Sequence, residues 1–533
     1  MAAQFRTTPC GMLVRLVSRK KVLRYPDEVD GSVIEQFVVA STRAGEEQGA
    51  AEQGGLSKGE MTDNEGVHIV DWYGEDDPEN PRNWSRAYKI LIVFQLCVLN
   101  FSIYIASSIY VPGEASIMDE FHVSETVATL GLSLFTLGYG LGPMLWSPIS
   151  EMPRLGRSSI FFYTTLAFIL LQLPTGYATS MPMFLVFRFL SGFIGSPCLA
   201  TGGGIIADIY FPQTSMYAIC VWGSAGICGP VFGPIFGGYV AAAKGWRWTV
   251  WVYAWMCVGA VACMFFCWPE TSEAAILLRR AKRLREGTGD ESIRSRTEVE
   301  AQDYVLRDHL RMLATAFTLT FTEPIVFLMH LYTALLYGVL FIWFESFPLV
   351  FGDIYHFDLG QQGLVFLGIF VGAVVSVPPF LLWLRYTIAP RIAKPGFKPE
   401  KLLPPTFAGT LALPICLFWY GWSARESMHW IMPVIGSAWF SVGVVTLFNS
   451  VFNYLGVSYP KYVASIFAGN ALFRATFGAI FPLFARSLFR RLGVGAGNSL
   501  LGGVSICFIP IPFIFWRYGE IIRHMSKNAR HDV

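Results

Sequence analysis

Charge is scarce in this chain. Asp, Glu, Lys and Arg supply 15% of its 533 residues, whereas a soluble domain carries about a quarter. With 53% hydrophobic and 15% aromatic residues, too little polar surface remains to cover a water-soluble globule of this size, which excludes a soluble enzyme. Paired cysteines are also lacking. The ten Cys show neither a CxxC pair nor regular spacing, and nine lie inside apolar runs, so neither a disulfide framework nor a zinc site is expected. A net charge of +2 without a concentrated basic face excludes nucleic acid as a partner. No G-x-x-x-x-G-K-[ST] loop is present to couple ATP. Within the apolar runs only His330 and His429 occur near span ends, so a membrane-embedded catalytic constellation is not expected. The chain therefore reads as a non-enzyme without cofactor or metal.

What charge there is sits in two islands. Residues 1–87 hold 25 of the 78 charged side chains and residues 270–324 hold 19, leaving 34 for the other 391 residues. Those 391 residues require lipid as their solvent. No secretory signal peptide opens the sequence, so the first apolar run is expected to be an uncleaved span. Apolar runs long enough to cross about 30 Å of hydrocarbon number six before the second island and six after it. They fall at 88–111, 125–147, 158–178, 182–207, 214–240, 248–269, 325–351, 361–384, 402–422, 428–456, 464–488 and 497–517. The domain plan is a largely disordered tail (1–87), a six-helix bundle (88–269), a central loop (270–324), a second bundle (325–518) and a short tail (519–533). Low hydrophobicity over Ser41 to Asn80 carries the expectation of disorder. Met12 to Leu23 mixes apolar residues with Arg15, Arg19, Lys20 and Lys21, and reads either as solvated tail or as a segment lying on an anionic membrane surface.

Basic residues set the orientation. Arg154 and Arg157 follow the second span, nine Lys or Arg fill the central loop, and five more lie between spans eight and nine, while residues 112–124 and 352–360 carry acids but no Lys or Arg. Both termini and the central loop are thus expected on the cytoplasmic side. One group disagrees: Arg486, Arg490 and Arg491 fall on the outer side.

Several residues stand out from their apolar surroundings. In the fifth span Gly229, Gly233 and Gly237 recur every four residues beside Pro230 and Pro234, making a smooth stripe for close helix packing or a bend. Arg188 lies inside the fourth span, which costs about 2.5 to 3.5 kcal/mol unless the side chain faces a partner or cavity, or snorkels to the interface. Glu345 sits among aromatic residues in the seventh span and reads either as a proton-carrying carboxylate or as a hydrated one. Arg474 follows Asn470 by one turn and shares its face. Asn449 and Asn453 repeat at four residues, as cavity lining or as glue between helices. Tyr104, Phe135, Tyr139, Tyr337 and Phe341 belong to a dense aromatic set suited to flat apolar or cationic molecules.

These motifs resemble a family. Gly229, Gly233, Pro234, Gly237 and Gly238 fit every fixed position of G-x-x-x-G-P-x-x-G-G, the fifth-span antiporter signature of the major facilitator superfamily. Ser147 to Arg157 resembles its loop motif between spans two and three, with Ser147 for Gly, Glu151 for Asp and two extra residues before Gly156 and Arg157. Arg188 and Gly192 match the R-x-x-x-G of its fourth span. Asp77-Pro78-Glu79-Asn80-Pro81-Arg82-Asn83-Trp84, Gly195-Ser196-Pro197, Phe344 to Pro348 and Asn470 to Arg474 are similar to the fungal 12-span drug:proton antiporters, most of all to the fluconazole and benomyl resistance branch.

The resemblance covers roughly residues 70 to 520 and implies an all-α membrane protein of two pseudo-symmetric six-helix bundles. It implies proton-driven export of small amphipathic compounds, antifungal drugs or a fungal metabolite, by a monomer in the plasma membrane, with a vacuolar or vesicle membrane as the alternative. It assigns proton coupling to Arg188, Glu345 and Arg474. Glu151, Arg154, Gly156, Arg157 and Asp208 become a cytoplasmic latch, and the Gly/Pro stripe sets the interconversion. The rival readings are a facilitator or proton symporter importing a nutrient, and a multi-span membrane enzyme or receptor.

Overall fold

The computed structural model describes residues 2–29, 68–300, 318–392, 394, 396–526 and 528–529. Six helices form a first bundle: Arg86–Ser108, Glu125–Glu151, Arg157–Gly176, Met181–Gly195 with its continuation Gly202–Ile209, Pro212–Lys244 and Trp246–Cys267. Local chemistry sets their ends. Ser85 accepts from the Tyr88 N–H to cap the first span, and Pro212 opens the fifth where a missing N–H costs nothing. Gly245, at φ 81°, turns the chain between spans five and six. The fourth span, expected as one run over 182–207, breaks at Ser196-Pro197, because proline cannot supply the backbone donor there.

The second bundle contains Pro324–Phe347, Leu367–Trp383, Thr406–Ser423, Ile431–Ser458, and spans eleven and twelve. The last two run on from Val463 to Phe508 except at Gly493, whose φ of 79° separates them, and the twelfth continues through Pro510–Met525. The Asp358 carboxylate and the Gln361 side chain close a reciprocal cap on the short helix leading into the eighth span. Nine of the described helices are long and apolar enough to cross a membrane as single units. The broken fourth span, the ninth, and the division at Gly493 complete the twelve. Contact between the bundles runs through spans two and eleven and through spans five and eight.

The tail departs from the expected disorder at both ends, while residues 30–67 of the stretch read as disordered lie outside the described residues. His68–Val70 pairs in parallel with Ile293–Ser295 of the central loop. Beside it, helix Glu273–Thr288, capped by Ser272 and closed by Gly289, presents two arginines to the tail. Arg280 is fully buried, 2.7 Å from Asp77 and 3.0 Å from Glu79, under the Tyr73 ring. Arg283 bonds Asp27 at 2.9 Å and stacks on Tyr25. Composition alone misses this order because the acids of the tail find their counter-charges some two hundred residues away. Nearer the N-terminus, helix Pro9–Val17 packs on the sixth span and leaves Leu13, Leu16 and Val17 exposed.

Arg280→Ala leaves Asp77 without its cation and Glu79 with Arg283 alone, a loss of about 3 to 5 kcal/mol for a broken buried pair. Amides of 68–80 are then expected to exchange hydrogen at least about a hundredfold faster, and unchanged protection would refute the anchoring. Burial pushes the Asp77 carboxyl up, but the hydrogen bond and charge of Arg280 and the backbone N–H groups of Tyr73 and Glu79 outweigh it and hold the carboxyl below its ordinary value. Its contribution is therefore complete above the usual carboxylate range and is lost as pH falls through the lowered value.

Candidate functional site

Two members of the basic group that contradicts the charge rule, Arg486 and Arg490, meet carboxylates. Arg486, in the last turns of the eleventh span, bonds Glu345 of the seventh span and Glu125 of the second, and lies 3.2 Å from Glu114, just beyond the first. Arg490 completes the cluster on Glu125 at 2.9 and 3.0 Å. Glu345 is fully buried and Glu114 nearly so, and one oxygen of each has no hydrogen-bond partner among the described residues. Cations near one helix C-terminus facing acids at the N-termini of others also suit the helix dipoles. Glu345 thus sits beside a guanidinium rather than among aromatic rings alone. Sequence reasoning did not assemble Glu114, Glu125, Arg486 and Arg490, though the signal was present: a basic group opposite a loop that held acids and no Lys or Arg.

Arg188 is 1% exposed and has no carboxylate partner among the described residues. Its nitrogens donate to Ala106 O at 2.7 Å, Gly131 O at 3.1 Å and Ser107 O at 3.4 Å. Two of these belong to the last turn of the first span, where carbonyls have no helical donor, so the cation caps a helix end inside the bundle. Tyr110 and Phe135 cover its faces at 4.7 and 4.5 Å.

Between the bundles lies a cavity whose lining includes Tyr104, Tyr337 and Arg474 of the expected residues, together with Asn100, Trp222, Phe448 and Phe452. The Tyr139 hydroxyl donates to that of Tyr337, joining the two bundles, and Tyr104 meets Tyr139 edge-on at 5.6 Å. Phe341 packs on Tyr337 at 4.8 Å. Phe135 does not line the cavity, because it is spent on Arg188. Asn449 and Asn453 donate back to Val445 O and Asn449 O of their own helix.

At the tail-bearing end, Arg157 pairs with Asp208 at 2.7 Å. Glu151 and Arg154 form no ion pair among the described residues. The acid that sequence reading missed is Glu270, buried after the sixth span. It accepts from the Arg157 N–H at 3.0 Å and from the Ser272 N–H at 3.1 Å. Gly156, at φ 76°, leaves room for it, since a Cβ there would lie 2.1 Å from its carboxylate.

The glycine stripe faces two helices. A Cβ at Gly229, Gly233 or Gly237 would meet the first span, at 2.5 Å from Tyr104 Cβ, 1.9 Å from Ser108 Oγ and 2.0 Å from Ile109 O. One at Gly238 would lie 2.2 Å from Leu359 O in the other bundle, and one at Gly363 would lie 2.4 Å from Pro234 O.

Two helical bundles around an aromatic cavity, tied to each other by Tyr139 on Tyr337 and by Arg486 on Glu114 and Glu125, have the architecture of a membrane carrier. The chain belongs to the Major Facilitator Superfamily, which it matches over residues 96–482. It is 41% identical to Transporter mfs1 of Schizosaccharomyces pombe over 89% of this chain and 90% of that one. It is 39% identical to Fluconazole resistance protein 1 of Saccharomyces cerevisiae over 88% and 87%. The solved structure of the proton:xylose symporter XylE bound to 6-bromo-6-deoxy-D-glucose aligns with a TM-score of 0.58 at 14% identity, covering 82% of this chain and 96% of that one, a likeness of fold alone.

Proposed function

We propose that this transporter exports small amphipathic compounds, antifungal drugs or a secondary metabolite, across the plasma membrane in exchange for protons. The observation that carries the reading is the buried carboxylate Glu345 held by Arg486 in a cluster that also engages the opposite bundle. A proton arriving from outside neutralises Glu345 and so changes the charge balance of the cluster through which Arg486 holds Glu114 and Glu125 of the opposite bundle. Arg188 and Arg474 supply fixed positive charge in the two halves, while Arg157 and Asp208, with Glu151, Arg154 and Gly156 around them, hold the cytoplasmic ends. The chain works as a monomer with both termini cytoplasmic. Export of drugs is supported by a relative named for fluconazole resistance, and the direction of transport by the complete fifth-span stripe.

Proteoliposomes with an imposed pH gradient test this directly. Fluconazole or a fungal aromatic metabolite is expected to move against the proton flow, and no movement of any such compound under a gradient refutes the exporter. Uptake in the same direction as the protons would establish the symport alternative. Glu345→Gln keeps an oxygen acceptor for Arg486 and is expected to fold and traffic normally while gradient-driven transport falls to background. Undiminished transport in that variant would remove Glu345 from the coupling.

A further inference from the structure

The cavity has an unbalanced charge. Among the described residues that line it, Arg474 is the one charged side chain, and it is 8% exposed. Arg280 and Arg523, likewise buried, each meet a carboxylate, and Arg188 donates to carbonyls. Arg474 differs. Its Nε has no hydrogen-bond partner and it forms no ion pair among the described residues. Its neighbours are the rings of Tyr337, Phe448 and Phe452, at 5.2, 4.9 and 5.9 Å.

Aromatic faces stabilise a cation only in part, and they leave the five in-plane N–H donors of a guanidinium unused. A desolvated cation without a counter-charge raises the free energy of the empty state, and it favours any entering group that brings negative charge or strong acceptors. The same cation repels a positively charged molecule, against which the lining offers no carboxylate. The rings around it fit a flat aromatic body.

We infer that this cavity binds planar aromatic compounds through an anionic or strongly accepting group seated on Arg474, and that it discriminates against organic cations. The inference rests on the reading of the cavity as the substrate site, and narrows the expectation from aromatic abundance, which admitted cationic molecules as well.

Three probes that share the naphthalene body and differ in charge separate the outcomes: 2-naphthoate, 2-naphthamide and 2-naphthyltrimethylammonium. Each is measured by equilibrium dialysis at pH 7 against the full chain in nanodiscs, with empty discs subtracted. Naphthoate is expected to bind about tenfold more tightly than the ammonium compound, with the amide between them. Arg474→Gln should bring the three within about twofold of one another, whereas Arg474→Lys should keep their order. An unaltered chain that binds the ammonium as tightly as the acid, or binds none of the three, overturns the inference, as does a folded Gln variant that keeps the preference. Should the Gln variant not fold, the order in the unaltered chain and in the Lys variant decides. The preference is read without a gradient, so its presence alongside absent proton-driven export would sink the exporter reading alone. Gradient-driven export of neutral compounds without the preference would sink this inference alone.

Discussion

Arg486→Gln is expected to abolish proton-driven transport and to destabilise the folded chain by about 3 to 5 kcal/mol, the range for removing one partner of a buried ion pair. Three carboxylates meet at this site and two arginines answer them. Arg490 is largely exposed, so once Arg486 is gone Glu345 and Glu114 face each other inside the protein with little compensation. The variant should melt well below the unaltered chain in detergent. A Cys introduced between the far ends of spans two and eleven should also react faster with a water-soluble maleimide, because the contact that closes them is lost. Adding Glu345→Gln should recover much of the melting temperature, since it removes the uncompensated charge, without recovering transport. Normal transport and an unshifted melting point in Arg486→Gln would mean that the cluster is ornamental.

The second large effect is expected at Gly237. An added methyl there would lie 2.0 Å from the Ile109 carbonyl, and backbone oxygen cannot swing aside as a side chain can. The first and fifth spans must therefore separate, at a cost of about 1 to 3 kcal/mol for Ala and more for Leu. If the contact tightens in one half of the transport cycle, that cost shifts the balance of states by about ten- to a hundredfold, because 1.4 kcal/mol is a factor of ten. Gly237→Ala should cut the initial rate of export accordingly, and Gly237→Leu should leave none. Gly259, in the sixth span, has open space where its Cβ would stand. Gly259→Ala is the control and should transport normally; equal losses at both positions would reduce the stripe to a general need for helix-forming residues.

Much of this architecture is legible in the sequence, because lipid leaves little freedom. Twelve apolar runs must be helices, and a gap of polar residues in their middle must divide two bundles. The glycine stripe is equally legible, since a four-residue period of missing side chains can face only one direction on a helix. Pairings over long separations are not. The Arg486 bonds span 361 residues to Glu125 and 141 to Glu345, and nothing local announces them. Asp77 and Glu79 look like solvated acids until the central helix brings Arg280 against them. Glu151 occupies the motif position, whereas the carboxylate that accepts from the start of the third span is Glu270, at the end of the sixth, which no motif marks.

The buried arginines share a property of timing. A ribosome delivers this chain from its N-terminus, and each half-made intermediate must already be tolerable in lipid. Ala106, Ser107 and Gly131, the carbonyls that accept from Arg188, are all synthesised before it. Glu114, Glu125 and Glu345 precede Arg486, and Tyr337, Phe448 and Phe452 precede Arg474. Arg188 and Arg486 thus follow along the chain the groups that accept from them, an order that suits insertion from the N-terminus.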